Sequence, residues 1–115
     1  MCIDRTIRDF AGNVYPVSWD AALALRDLGA EFFLLVSNDS PLCDRFEKTL
    51  LGFLQHQKLL VYVARVSVAE DPTAAVHLGV TYVPQVRFYR DGEEIGRHRG
   101  LASYETFSRL IGLME

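Results

Sequence analysis

The stretch Phe32-Phe33-Leu34-Leu35-Val36-Ser37-Asn38-Asp39-Ser40-Pro41-Leu42-Cys43 decides how this chain folds. Its first five residues form a continuous apolar run. That suits a strand buried on both faces, in the middle of a sheet covered by helices. The polar residues after Val36 make a turn. Ser40 then suits a helix N-cap, and Pro41 the first helical position, where its missing N–H costs nothing. Phe46, Leu50, Phe53 and Leu54 continue as a helical stripe running toward His56.

Upstream, Ser18 caps a helix expected over Trp19 to Leu28, with Ala21, Leu25 and Leu28 at helical spacing and Trp19 in the core. Gly29 ends it, as glycine past a helix C-terminus does. Earlier still, Thr6 to Phe10 and Asn13 to Val17 are short strand candidates around Ala11-Gly12. Downstream, Leu59 to Val66 reads as a second strand, with a short helix from about Asp71-Pro72. Gln85 to Arg90 and Glu94 to Arg99 flank Asp91-Gly92, a strong hairpin signal. Ser103 caps a last helix whose Tyr104, Phe107, Leu110, Ile111 and Met114 face the sheet. Strands and helices alternate first, then come a hairpin and a terminal helix. The fold class is α/β: a central mixed β-sheet flanked by helices on both faces, with a further N-terminal strand or hairpin.

The 115 residues suffice for a single domain, with residues 1–17 as variable N-terminal strands and 18–115 as the core. Half the chain is hydrophobic and 23% is charged, which is ordinary for a core-forming protein. A formal net charge of −3 and the lack of a basic stripe argue against a nucleic-acid partner. No apolar run approaches the ~20 residues of a membrane helix, so no membrane partner is expected. The N-terminus has no signal layout, and the expected location is cytoplasmic, where thiols stay reduced. Cys2 and Cys43 form neither a disulfide framework nor a metal-ligand spacing with His56, His77 and His98, which read as surface residues. No cofactor and no metal are expected.

Taken together, several pieces resemble the thioredoxin family. Ser40-Pro41-Leu42-Cys43 looks like that family's Cys-x-x-Cys with its first thiol replaced. Pro84 follows Cys43 by 41 residues, as the cis-proline follows the second active-site cysteine in ordinary bacterial thioredoxins. Asp71 to Val80 resembles the short third helix and its exit. Phe88-Tyr89-Arg90-Asp91-Gly92-Glu93 resembles the hairpin, and Arg99-Gly100-Leu101 the step before the last helix. The likeness runs ungapped from about Phe32 to Glu115, and is loose over the first thirty or so residues.

The resemblance implies a thioredoxin fold, a cis Val83–Pro84 bond, and a groove where Tyr82, Val83 and Pro84 hold an extended peptide as an added strand. Gly92 fits a positive φ, and Gly100 is expected to let the chain pass close to a neighbouring element. The resemblance also marks what differs. The first cysteine of a complete pair attacks a substrate disulfide and the second resolves it. Ser40 stands in the attacker's place, and a hydroxyl does not exchange with disulfides. Leu34 stands where the family has a buried aspartate, and Asp39 where it has a tryptophan.

Two roles follow. One is a protein-binding or chaperone-like module that uses the groove around Ser40, Cys43, Tyr82, Val83 and Pro84. Redox-deficient relatives of that type include the chaperedoxins, which carry serine-x-x-cysteine but also a helical-repeat domain that this chain has no room for. The other is a monothiol thiol-disulfide oxidoreductase in cell redox homeostasis. It would act through Cys43, with a mixed disulfide to a protein or peptide partner and with Cys2 or an outside thiol as resolver. Arg87, Arg90, Arg97 and Arg99 form a basic strip on the hairpin, read as solvated residues that discourage edge pairing.

Overall fold

The structure, a computed structural model, describes residues 14–38, 40–59, 61–78 and 83–112. The elements in chain order are β1 (Tyr15–Pro16), α1 (Trp19–Asp27), β2 (Phe32–Ser37), α2 (Pro41–Gln57), β3 (Tyr62–Ser67), α3 (Pro72–Leu78), β4 (Gln85–Arg90), β5 (Glu93–Arg99) and α4 (Tyr104–Leu110). They form a five-stranded sheet in the order β1-β3-β2-β4-β5. β1 and β2 both run parallel to β3, while β4 runs antiparallel to β2 and to β5. The sheet is therefore mixed, as the sequence pattern implies.

Every residue of β2 is buried, so the strand lies at the centre of the sheet and is covered on both faces. Successive side chains of a strand point to opposite faces. Phe33 and Leu35 accordingly join Phe46, Leu50, Phe53, Phe88, Phe107 and Ile111 in one core, beneath α2 and α4. Phe32 and Leu34 join Trp19, Ala22, Ala64, Val66, Ala74 and Tyr89 in the other, beneath α1 and α3. Each fully buried Phe, Leu or Val contributes about 1.5–3 kcal/mol of apolar transfer free energy. Aromatic pairs fix the orientations: Phe32 stacks on Tyr89 at 5.0 Å, and Phe107 meets Phe46 edge-on at 5.8 Å.

The helix ends follow their local chemistry. Ser18, Ser40 and Ser103 each accept a backbone N–H at an N-terminus. Past α1 the N–H of Gly29 bonds the Arg26 carbonyl and that of Ala30 the Leu25 carbonyl, a Schellman motif with Gly29 at φ 79°. Asp91 and Gly92 both have positive φ, the conformation that closes the two-residue hairpin. None of the helices among the described residues is long and apolar enough to cross a membrane.

Some expectations are corrected. Leu28, the C-cap of α1, is 82% exposed and lies off the core face, which carries Trp19 and Ala22 buried and Leu25 packed against them. The second strand starts at Tyr62 rather than Leu59. Arg87 is 8% exposed and bonds Gln85 and Glu94, so it is not part of a solvated strip. Gly100 has nothing within 4 Å of where its Cβ would stand; its φ of +81° accounts for the glycine, not a close approach. The strand candidate Thr6 to Phe10, Cys2 and Met114 lie outside the described residues.

Candidate functional site

β2, β4 and β5 bring three chain segments to one end of the sheet. Val36 pairs with Gln85, and Gln85 with Arg99. One step further along the chain, Pro84 lies beyond β4, and the turn into α2 beyond β2. The Gly100 N–H donates to the Pro84 carbonyl at 2.8 Å, tying the exit of β5 to the entry of β4. The Val83–Pro84 bond is cis. Two exposed leucines belong to these segments, Leu42 at the start of α2 (43% exposed) and Leu101 after Gly100 (51%). Tyr82 and Asp39 lie outside the described residues.

Ser40 and Cys43 meet as the first turn of α2. The Ser40 hydroxyl accepts the Cys43 N–H at 3.3 Å, and the Ser40 carbonyl accepts it at 3.1 Å. Ser40 thus serves as the cap of α2, followed by Pro41 at the first helical position. Cys43 is only 5% exposed. Its thiol donates to Asn38 Oδ1 at 3.2 Å, and the same oxygen accepts the Ser40 N–H at 3.0 Å. The second contact fixes the orientation of the Asn38 amide, since only its oxygen can accept from a backbone N–H.

Leu34 is 1% exposed and packs among Trp19, Phe32, Ala64 and Val66, with no carboxylate on that stretch of β2. Arg65 on β3 pairs with Glu47 on α2, at 3.1 Å. Both line a cleft of about 550 Å³ with Ser37, Asn38, Asp71 and the edge of Cys43. The cleft lies on the β1–β3 side of α2, away from Pro84. Asp71 accepts the N–H groups of Trp19 (2.9 Å) and Ala74 (3.2 Å), joining the starts of α1 and α3. Those bonds hold its carboxyl below the usual carboxylate range, the Trp19 contact most of all.

The structure thus brings Ser40, Cys43, Val83 and Pro84 to one end of the molecule. Sequence inspection missed Asn38, Arg65, Glu47 and Asp71. For Asn38 a signal existed: an asparagine two residues before a Ser-Pro helix start is a natural Asx turn. Nothing in sequence spacing pairs Arg65 with Glu47. Of the histidines, His56 packs beside Tyr104, His77 stacks on Trp19, and His98 bonds the Leu101 carbonyl. Among the described residues no group of three or more His, Cys, Asp or Glu side chains is placed to hold a metal ion.

No family model and no curated protein matches the chain. Solved structures do. A mutant thioredoxin from Halobacterium salinarum is 19% identical with a TM-score of 0.72, the match covering 90% of this chain and 91% of that one. Mitochondrial thioredoxin 3 from Saccharomyces cerevisiae, in its oxidized form, is 18% identical with a TM-score of 0.71, covering 88% and 95%. Trxlp from Edwardsiella tarda is 26% identical with a TM-score of 0.69, covering 84% and 96%.

Proposed function

We propose, on the premise that this chain is thioredoxin-like in fold, that it is a protein-binding or chaperone-like module and not a disulfide reductase. Its site is the end of the sheet that carries Ser40, Val83 and Pro84, and Tyr82, the residue before Val83 in the sequence, is proposed as part of it. An extended segment of a partner protein lies along Val83, with its apolar side chains against Leu42 and Leu101. The cytoplasmic setting expected from the sequence is part of this proposal.

The observation that carries it is the state of the motif. The Ser40 hydroxyl caps α2, and Cys43 is a buried residue, 5% exposed, whose thiol is hydrogen-bonded to Asn38. Disulfide exchange needs an exposed thiolate as attacker. A bound peptide needs neither residue to react. The monothiol alternative draws its support from Cys43 reaching the edge of the polar cleft.

Isotope-labelled protein titrated with cysteine-free, unstructured apolar peptides tests the proposal. Binding is expected to shift the amide signals of residues 40–43, 83 and 100–101. A parallel incubation with glutathione disulfide tests the alternative. In that reaction the Cys43 thiolate attacks one sulfur, the old S–S bond breaks, a protein–glutathione disulfide forms and glutathione thiolate leaves. Glutathionylation at Cys43 within minutes, with no peptide-induced shifts, would overturn the binding role in favour of the monothiol.

A further inference from the structure

One side-chain contact at this site has no counterpart in the motif. Asn38 Oδ1 accepts from both the Ser40 N–H, at 3.0 Å, and the Cys43 thiol, at 3.2 Å. A single oxygen therefore ties the residue in the attacker's place to the remaining sulfur. Only a protonated sulfur has a hydrogen to donate, so the contact is made by the thiol and broken when the proton leaves. Asn38 itself lies at the end of β2, anchored by the central strand of the sheet.

We propose that Asn38 is a positioning residue that latches the Cys43 thiol through this contact, and that reaction at Cys43 requires the latch to open. This deepens the binding role and rests on it, since a latched thiol leaves the site free to hold peptide without exchanging. Asp44, Glu47, Arg65, Glu70 and Asp71 line the same cleft as Cys43; the acceptor bonded to the sulfur is the amide oxygen of Asn38.

The test uses the full chain in a Cys2→Ser background, so that Cys43 is the one thiol. Labelling by iodoacetamide is followed at neutral pH; the C–S bond forms, iodide leaves and the proton passes to buffer. Asn38→Ala removes the acceptor and is expected to label about five- to tenfold faster, the worth of one hydrogen bond. Asn38→Asp keeps an oxygen for both donors and is expected to label no faster than the parent. The S–H stretching frequency supplies a readout that packing alone would not move. It should lie lower in the folded parent than in the unfolded chain, and rise in Asn38→Ala.

A folded parent whose S–H frequency equals that of the unfolded chain overturns the latch without any variant. So does equal acceleration in both Asn38 variants, or none in Asn38→Ala. The two proposals fail separately. Absence of peptide-induced amide shifts contradicts the binding role, whereas a parent that labels as fast as Asn38→Ala contradicts the latch alone.

Discussion

Ser40 carries two properties that a cysteine there would not combine. It is a good N-cap, and it cannot attack a disulfide. Ser40→Ala is expected to lower stability by about 1 kcal/mol through loss of the cap, measured by urea unfolding. Ser40→Cys is expected to fold and to gain weak disulfide reduction, followed as the reduction of a protein disulfide by dithiothreitol through the variant. A folded but inert Ser40→Cys would place the defect deeper, at Leu34 or Asp39. Leu34 is the sharper case. It is 1% exposed in an apolar cluster, so Leu34→Asp, which buries a carboxylate there, should cost about 3 kcal/mol or more. Serine and leucine at these places were plain in the sequence. That the Cys43 thiol bonds Asn38 was not, because spacing places a residue at a helix start without saying what its sulfur touches.

Among the elements, the helix ends were the most legible, since caps act over three or four residues of sequence. Gly29 is one such end. With φ at 79° and open space around it, the cost of a side chain is conformational alone. Gly29→Ala should therefore lower stability by about 1 kcal/mol, readable from the shift in the unfolding midpoint. The tie between α1 and α3 was not legible, because Asp71 bonds Trp19 across 52 residues. Its carboxyl is held below the usual range in the folded protein, chiefly by the Trp19 N–H and then by Ala74. A depressed folded value means stability that is present above the unfolded carboxylate pKa, about 3.9, and lost as pH falls through the folded value. In acid titrations of stability, Asp71→Asn should show a shallower fall than the parent below about pH 4. An unchanged acid limb would mean the two bonds do not favour the ionised form. On α1, Trp19 and Leu25 pack inward as the spacing implies, while Leu28 fits the same spacing but stands exposed at the C-cap.

Over the whole molecule, period-2 alternation in an all-apolar strand is what builds two cores from one segment. Phe32 and Leu34 serve α1 and α3, while Phe33 and Leu35 serve α2 and α4. That is why the run Phe32 to Val36 gave the architecture away, and why the Asp91-Gly92 hairpin completed it. The polar cleft of Arg65, Glu47 and Asp71 escaped notice because it is assembled from β3, α2 and the start of α3, which only the folded topology brings together.

The most direct measurement for the claim that this site does not exchange disulfides is the alkylation rate of Cys43 in a Cys2→Ser background, folded and unfolded, at neutral pH. Slow labelling that becomes fast only on unfolding is the predicted result, from a cysteine that is 5% exposed and whose thiol is held by Asn38. Labelling in the folded protein as fast as in the unfolded chain would contradict it, and would make Cys43 a working thiol.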